Sequence, residues 1–366
     1  EYGVIIVEIV KIKDLDEIYL EIKCNIKNKK KVYDFKKYKY EYLQLCCDML
    51  NNYTYNDGTY NIFIIHEPKI RVIMSQKIID KIINHFITRN ILIPKLDKYL
   101  LDENTATRKN KGYTCAINLL KQGIEYYKRY PEFYYLKLDI KKYFYNIDHN
   151  VLKKLIKPFL DDNEYDLISK ILDSTNKTYI NNNINYISKK HKIELPVYKN
   201  DKGLPIGNMT SQFLAAFYLY KLHYFIKNNL HIKYFVVYMD DYILLHENKE
   251  YLKYCLKVIK DILYKDYKLE LNDNKTIIVK SNNGINLLGY RFIINNKKTI
   301  IKLTKESKKK IISGIKKNIS NYDNGYVSYQ RLFSSIQNYK YSHNFVNNKK
   351  VIEIIERIYN GKIFGY

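Results

Sequence analysis

YFVVYMDDYILL, residues 234–245, is the most informative stretch of the chain. Two apolar runs, 234–238 and 242–245, flank the short acidic segment Met239-Asp240-Asp241. β-Branched and aromatic residues dominate both runs, which predicts two strands of a tight hairpin. Asp is also common in turns. Taken alone, the acidic pair could therefore be an ordinary turn without a functional role. Adjacent carboxylates between buried strands repel each other, however, unless a cation lies beside them.

The chain is strongly basic, which points to a polyanionic partner. Its 366 residues contain 63 Lys and Arg against 38 Asp and Glu, a formal net charge of +25. Nucleic acid or an anionic membrane surface would suit this charge. No apolar run approaches the roughly 20 residues that span a bilayer, and no signal peptide is visible, so we expect nucleic acid and no membrane. Five cysteines without a C-x-x-C pair predict neither a disulfide framework nor a cysteine zinc site, which fits a reducing cytoplasm.

Strands and helices are expected on both sides of the hairpin. Residues 60–65 and 70–74 predict an earlier hairpin, and FYYLKL, residues 133–138, predicts a strand that ends at Asp139. Asp148 is a candidate N-cap for the helix that follows. Residues 162–202 are rich in Asn and Lys, and we expect an irregular insertion there.

A loop punctuated by Gly and Pro precedes the central hairpin. It covers residues 202–212, and Thr210 or Ser211 could cap a long apolar helix over 213–228. A further hairpin is expected over 285–292 and 298–303, and the chain from Thr304 onward is predicted to be helical and basic.

Asp139 and the pair Asp240/Asp241 could form one metal site if their strands belong to the same sheet. Strand ends of one sheet lie side by side, so three carboxylates could meet at one rim. Such a rim could bind two Mg²⁺ ions about 3.5–4 Å apart, with substrate phosphates and water completing the coordination. One ion would activate a primer 3′-hydroxyl and the other would neutralise the triphosphate, which is nucleotidyl transfer.

Five short motifs occur in an order that resembles the palm of reverse transcriptases. They are LDIKKYF (138–144), GLPIGNMTSQ (203–212), YMDD (238–241), LNDNKT (271–276) and LLGY (287–290). The resemblance covers residues 60–300. It implies an RNA-directed DNA polymerase that uses two Mg²⁺ ions, with Mn²⁺ as an alternative, and that binds an RNA template, a DNA or RNA primer and dNTPs.

The resemblance assigns roles to individual residues. Asp139 and Asp240 match the metal-binding aspartates, Asp241 is the neighbouring carboxylate, and the carbonyl of Ile140 is expected to help one metal. Phe144 matches the steric gate that excludes a ribose 2′-hydroxyl, although an ordinary core aromatic is the alternative at this position.

Basic residues take the remaining roles that the resemblance implies. Lys275 matches the lysine that protonates the leaving pyrophosphate, with a surface lysine as the alternative. Lys69 and Arg71 match the cations that grip the triphosphate, and the choice between them stays open. Arg108 with Lys109 matches a template-phosphate contact. Leu288-Gly289-Tyr290 resembles the primer grip, where Gly allows close backbone approach.

The loop motif resembles bacterial reverse transcriptases of diversity-generating retroelements. Ile206 and Gly207 occupy positions where most relatives carry Gln-Gly, and Ser211-Gln212 replaces Ser-Pro. Ile206 lacks the polar group with which Gln would contact the incoming nucleotide, and Gln212 adds one nearby. Losing a contact of about 1 kcal/mol changes discrimination several-fold, which suits an error-prone enzyme that misincorporates opposite template adenines. A small basic accessory protein is a possible partner in this family, and an antiviral defence enzyme or another uncharacterised bacterial type stays open.

We therefore predict an α+β right-hand polymerase. Fingers would occupy residues 1–130, an antiparallel-sheet palm residues 131–300, and a helical thumb residues 301–366. An inactive RNA-binding relic of the fold is a rival, but the intact acidic residues and Lys275 argue against it. An RNA-dependent RNA polymerase is a second rival, and Phe144 argues against it because that enzyme must admit the 2′-hydroxyl.

Overall fold

The computed structural model describes residues 9–26, 28–66, 70–295, 298–341, 346 and 349–363. The helices are α1 (Ile12–Asn25), α2 (Lys29–Lys37), α3 (Lys39–Asn51), α4 (Ile78–Phe86), α5 (Ile93–Leu96), α6 (Tyr113–Tyr127), α7 (Tyr143–Asn146), α8 (His149–Ile156), α9 (Asp162–Asp173), α10 (Thr178–His191), α11 (Met209–Tyr218), α12 (Tyr220–Asn228), α13 (Lys249–Tyr267), α14 (Lys305–Asp323), α15 (Tyr329–Tyr341) and α16 (Lys349–Ile363). The strands are β1 (Asn61–Ile65), β2 (Arg71–Ser75), β3 (Tyr134–Asp139), β4 (Tyr234–Tyr238), β5 (Asp241–His246), β6 (Ile277–Lys280), β7 (Ile285–Leu287), β8 (Tyr290–Asn295) and β9 (Lys298–Leu303). The predicted α+β class is confirmed.

A four-stranded antiparallel sheet forms the centre of the molecule. Its strand order is β4-β5-β3-β6, so the hairpin predicted at residues 234–245 lies directly beside the strand that ends at Asp139. Strands that are distant in sequence therefore become neighbours, and the ends of β3 and β5 share one edge.

Both faces of this sheet are buried, which explains why its strands are almost continuously apolar. Successive side chains of a strand point to opposite faces. One face packs into a core that includes residues of α8, α9, α11 and α13, and its strand residues are Leu136, Leu138, Phe235, Val237, Tyr242 and Leu244. The other face packs against α6 and the β7-β8-β9 sheet through Tyr135, Val236, Ile243 and Leu245.

The β1-β2 hairpin forms a separate small unit as predicted, and α10 covers it. Val72 and Met74 of β2 pack with Ile180 and Ile184 of α10 in a third apolar cluster. These two isoleucines are one helical turn apart, so one face of α10 buries both of them.

The expectation of an irregular insertion over residues 162–202 was wrong. The segment contains α9 and α10. The N-terminus of α9 carries a capping box in which Asp161 and Glu164 accept hydrogen bonds from each other's backbone N–H groups. Helix α10 is rich in Asn and Lys but has a short apolar stripe on one face. Burial of that stripe against the β1-β2 hairpin stabilises the helix.

The predicted long helix over residues 213–228 is divided and begins earlier. Helix α11 starts at Met209, and the chain leaves helical geometry at Leu219 before α12. Thr210 does not cap the helix. Its hydroxyl donates to the side-chain oxygen of Asn84, 2.7 Å away, in the buried interior.

The chain after β9 is helical, as the sequence predicted. Thr304 caps α14, because its hydroxyl accepts a hydrogen bond from the backbone N–H of Ser307. Helices α14, α15 and α16 contribute Ile315, Ile319, Leu332, Ile336 and Ile355 to the same core as the β7-β8-β9 sheet. Within the described ranges, no helix combines the length and apolar character needed to cross a membrane. The boundaries 1–130, 131–300 and 301–366 remain predictions.

Candidate active site

The three predicted carboxylates meet at one rim of the central sheet. Asp139 ends β3 and pairs in register with Asp241, the first residue of β5. Directly opposed residues of an antiparallel pair have Cβ atoms about 4.5–5.5 Å apart. Asp240 precedes Asp241 in the hairpin loop, so a third carboxylate joins the pair. The arrangement expected from strand ends is what the sheet produces.

The hairpin loop is shorter than the sequence suggested, and it is strained. Tyr238 pairs with Asp241, which leaves only Met239 and Asp240 between the strands. Met239 has φ +57°, a conformation that an L-residue with a long side chain rarely adopts. Strain of this kind costs of order 1–3 kcal/mol and persists where surrounding structure enforces it, often at functional sites. Here the paired strands enforce it and fix the position of Asp240.

Asp240 lies in an environment that disfavours a bare negative charge. Burial raises the pKa of its carboxyl group, and the charges of Asp241 and Asp139 raise that pKa further. The positive charge of Arg71 acts in the opposite direction, which places this exposed residue of β2 within electrostatic reach of the rim. The pKa of Asp240 is therefore raised overall, and a cation bound beside its carboxylate would favour the charged form.

The donor set suits a hard divalent cation. Carboxylate oxygens are the protein ligands that Mg²⁺ prefers, and a few of them suffice when substrate phosphates and water complete the octahedron. Ile140 is buried and forms an isolated antiparallel bridge with Leu271. The bridge uses two hydrogen bonds, from Lys141 N–H to Glu270 and from Asn272 N–H to Asp139, and neither involves the carbonyl of Ile140. The predicted role of that carbonyl is compatible with this geometry.

Lys275 lies beside the rim. Its ammonium group is 3.5 Å from a carboxylate oxygen of Asp139, and about half of its side chain is exposed (51%). A turn holds it there, since the backbone N–H groups of Lys275 and Thr276 both donate to the carbonyl of Asn272. An exposed ammonium beside the carboxylates could reach a bound triphosphate.

Sequence reasoning missed a second lysine at this edge. The ammonium of Lys137 lies 3.9 Å from a carboxylate oxygen of Asp241. Lys137 precedes Asp139 by two residues on β3, and residues two apart share a face of a strand. The alternation of FYYLKLD could have revealed it, because Lys137 is the only charged residue before the terminal Asp139 in that otherwise apolar run.

The loop that carries Ile206 and Gly207 is attached to the β1-β2 hairpin. The backbone N–H of Met74 donates to the carbonyl of Ile206 at 2.9 Å. Gly207 has φ +133°, and a Cβ added there would lie 2.7 Å from the carbonyl oxygen of Met74. Both the backbone conformation and the close approach require glycine. Ile206 is half-buried, while Gln212 is exposed in the first turn of α11.

Phe144 is held next to this loop. It lies in the short helix α7, which begins after Lys142 in a left-handed conformation (φ +47°). The carbonyl of Phe144 accepts a hydrogen bond from the N–H of Leu204 at 2.7 Å, so the backbone position of Phe144 is fixed by the same loop. Its ring is half-buried against the main core, which leaves part of it accessible.

Three further basic residues, Lys69, Arg108 and Lys109, were predicted to contact phosphates. Lys69 lies outside the described residues. Arg108 is not available for a template phosphate, because its guanidinium bonds both carboxylate oxygens of Asp97 and its side chain is only 8% exposed. Lys109, next to it, is exposed, and its contact with a template phosphate stays a prediction.

Gly289 was predicted as part of a primer grip. In the structure, the side chain of Ser307 in α14 lies close to its backbone. A Cβ added to Gly289 would lie 2.5 Å from the hydroxyl of Ser307 in α14. That hydroxyl donates to the carbonyl of Gly289 at 2.9 Å. The glycine therefore allows α14 to dock, whether or not a primer also contacts this turn.

Comparison with known proteins identifies the family of the chain. Residues 65–292 match the family described as reverse transcriptase (RNA-dependent DNA polymerase). No curated protein matches the sequence.

Among solved structures, telomerase from Candida albicans, in complex with a TWJ fragment of telomeric RNA, is 13% identical with a TM-score of 0.50. The similarity covers 86% of this chain and 55% of that one. Apo telomerase from Candida tropicalis is 16% identical with a TM-score of 0.50, over 84% of this chain and 63% of that one. The chain thus spans little more than half the length of these proteins, and at such low identity the likeness concerns the fold alone. The family match covers more than half of the sequence and includes all three carboxylates, and the chain belongs to the reverse transcriptase family.

Proposed function

We propose that this chain is an RNA-directed DNA polymerase, which adds dNTPs to the 3′-hydroxyl of a DNA or RNA primer on an RNA template. The observation that carries the proposal is the pairing of Asp139 with Asp241 across β3 and β5, with Asp240 beside them. Three half-buried carboxylates at one edge of a sheet do not contribute to apolar packing, and their mutual repulsion lowers stability. The family supplies the activity in which such a rim is used.

Each residue at the rim has a role in this proposal. Asp139, Asp240 and Asp241, with the carbonyl of Ile140, would hold two Mg²⁺ ions, or Mn²⁺ in their place. When bound, these ions would supply activation of the primer hydroxyl and neutralisation of the triphosphate charge. Lys275 would donate a proton to the departing pyrophosphate, and the exposed guanidinium of Arg71 would bind the triphosphate from the side of β2.

The chain's basic character supports the choice of substrates. A net charge of +25 favours binding to a nucleic acid backbone and predicts a steep loss of affinity with added salt. The half-buried ring of Phe144 would lie against the sugar of the incoming nucleotide and exclude a 2′-hydroxyl, so dNTPs would be preferred over rNTPs.

Primer extension on an RNA template tests the activity. Purified protein should extend a labelled primer with dNTPs when Mg²⁺ or Mn²⁺ is present, and Asp240→Asn should abolish extension while RNA binding stays within about twofold. Asp273→Asn is the matched control, because Asp273 is an exposed carboxylate that pairs with Lys260 rather than with the rim. Full extension by Asp240→Asn would refute the mechanism.

We further propose that the enzyme copies with low fidelity, as in bacterial diversity-generating retroelements, and acts in the cytoplasm with a small basic accessory protein. The support is the loop sequence, in which Ile206 offers an apolar side chain where a polar contact to the nucleotide is expected, and Gln212 stands exposed nearby. Sequencing of cDNA made on a defined RNA tests this. Errors concentrated opposite template adenines would support the subfamily, whereas a low and uniform error rate would favour a defence-associated or other type.

A further inference from the structure

A buried histidine contacts the loop of residues 202–212, which we call the nucleotide loop because it carries Ile206. His149, the first residue of α8, is only 1% exposed. Its Nε2 lies 2.8 Å from the carbonyl oxygen of Gly203. A carbonyl can only accept a hydrogen bond, so Nε2 carries the proton. In the neutral ring, Nδ1 is then a bare lone pair.

This lone pair faces a carboxylate. Nδ1 of His149 has no hydrogen-bond partner among the described residues, and it lies 3.5 Å from a carboxylate oxygen of Asp173 at the end of α9. Two acceptors therefore face each other without a hydrogen atom between them, and each would gain from a cation placed between them.

A third ligand is present at the same point. Asp201 lies in the loop that leads to Gly203. One of its carboxylate oxygens, a ring nitrogen of His149 and a carboxylate oxygen of Asp173 all lie within 4.8 Å of one another. Two ligands of one tetrahedral Zn²⁺, with bonds of about 2.1 Å, are roughly 3.4 Å apart. The 3.5 Å separation of Nδ1 and the Asp173 oxygen already matches this geometry.

We propose that His149, Asp173 and Asp201 form a second metal site, separate from the catalytic carboxylates, that binds a transition-metal ion of the Zn²⁺ type. One nitrogen and two oxygen ligands leave a fourth position for water. An imidazole ligand favours Zn²⁺ over Mg²⁺, which prefers oxygen alone. The hydrogen bond from Nε2 to Gly203 is the outer contact that usually fixes the orientation of a metal-binding histidine.

The site would join three parts of the chain that position the nucleotide loop. It would link α8, the end of α9 and the loop at Asp201, whose carbonyl already accepts a hydrogen bond from the N–H of His149. Two residues later, Gly203 N–H donates to Ile147 and Leu204 N–H donates to Phe144. A metal at this point would therefore stabilise the segment that fixes both Phe144 and the approach to Ile206.

Lys153 offers a competing explanation, because its ammonium lies 2.7 Å and 2.8 Å from the two carboxylate oxygens of Asp173. It compensates the charge of Asp173 but not the lone pair of His149. Lys153 is one turn along α8 from His149 and one-fifth exposed, so it can turn towards solvent when a metal ion binds. If Lys153 alone satisfied the cluster, no metal ion would bind.

Zn²⁺ titration of metal-stripped full chain, with millimolar Mg²⁺ present to occupy the catalytic carboxylates, tests the proposal. We expect one Zn²⁺ per chain by calorimetry and a rise in melting temperature, as follows when a ligand binds only the folded state. Co²⁺ should bind in place of Zn²⁺ and give visible absorption bands. His149→Gln should weaken binding by about 100-fold or more, and Lys153→Met should tighten it, since it removes a nearby positive charge.

Two further variants keep the outcome decisive. Asp201→Asn should lose most of the Zn²⁺ affinity and still fold, because Asn tolerates the left-handed backbone of this exposed residue (φ +55°). His191→Gln is the matched control, because His191 lies near His66 in an exposed histidine pair that could bind Zn²⁺ adventitiously. The absence of stoichiometric binding, binding that survives Asp201→Asn and His149→Gln, or binding that depends on His191 would each overturn the proposal.

Discussion

Asp139 and Asp241 are direct cross-strand partners, so two carboxylates lie opposite each other at the rim of the central sheet. Like charges at such positions destabilise an antiparallel pair. Asp240 adds a third carboxylate, and burial followed by the charges of Asp241 and Asp139 raises its pKa. The pairing of apolar strands brings these carboxylates together, with Lys275 and Lys137 as nearby cations. The stability of the site should therefore respond to pH and to cations.

The first prediction concerns that response. The folded-state pKa of Asp240 is raised, so between the unfolded and folded pKa values the folded protein binds more protons. The contribution of Asp240 to the stability of the metal-free protein should therefore fall as pH rises above about 4, the ordinary aspartate range. Asp240→Asn should remove this part of the pH dependence and raise the melting temperature at neutral pH, and Mg²⁺ should stabilise the wild type more than the variant.

Thermal unfolding from pH 4 to 8, with and without Mg²⁺, measures this effect. Asp273→Asn should follow the wild-type curve at every pH, since Asp273 lies outside the rim and pairs with Lys260. If Asp240→Asn melts below the wild type in metal-free buffer at pH 7, the carboxylates do not repel one another as the geometry implies.

The sequence predicted this rim because strand patterns are strong local signals. YFVVY, YILL and FYYLKL all formed strands, and the acidic residues at their ends met because the strands pair in one sheet. The alternation of apolar and polar residues predicts which residues are buried, but it does not predict which helices cover them. The sequence therefore predicted that Asp139 and Asp240 lie close together, but not what surrounds each of them.

The errors arose where tertiary contacts override local composition. The helix α10 has few apolar residues, and its stability depends on the β1-β2 hairpin, which lies more than 100 residues earlier. Arg108 looked like a free cation in a basic loop, yet Asp97 lies close enough in the fold to bind it. His149, Asp173 and Asp201 are dispersed over more than 50 residues, so no spacing rule could have joined them.

The second prediction concerns Lys275. Its ammonium is 3.5 Å from Asp139 and about half of its side chain is exposed, a position from which it can protonate a leaving group. General acid catalysis contributes typically 10²–10⁴-fold to rate, so Lys275→Met should lower the maximal rate of nucleotide addition by about 100-fold or more. The KM for dNTP should change much less. Single-turnover kinetics measures both quantities.

Lys260→Met provides the control for this prediction. Lys260 is also exposed and also pairs with an aspartate, but that aspartate is Asp273. An equal loss of rate in both variants would assign the effect to general charge rather than to proton transfer by Lys275.

The third prediction concerns sugar selection. The ring of Phe144 is half-buried, and its backbone is fixed by the hydrogen bond from Leu204. Phe144→Ala should open space for a 2′-hydroxyl and raise the ratio of rNTP to dNTP incorporation by about tenfold or more, since rejection of an added hydroxyl reaches about 100-fold in apolar pockets. Phe225→Ala is the matched control, because Phe225 is a partly buried aromatic of the same core on α12. An unchanged ratio in Phe144→Ala would remove Phe144 from this role.

The fourth prediction concerns fidelity at Ile206. Its carbonyl accepts the hydrogen bond from Met74 through the main chain, so a change of side chain leaves that contact intact. Ile206→Gln should restore a polar group near the incoming nucleotide and lower misincorporation opposite template adenines several-fold, as expected for one regained contact of about 1 kcal/mol. Deep sequencing of cDNA from a defined RNA gives the error spectrum, and Ile262→Gln on α13 controls for the loss of a partly buried isoleucine. An error spectrum that Ile206→Gln leaves unaltered would show that nucleotide discrimination does not depend on this side chain, and the physical argument for an error-prone enzyme would fail with it.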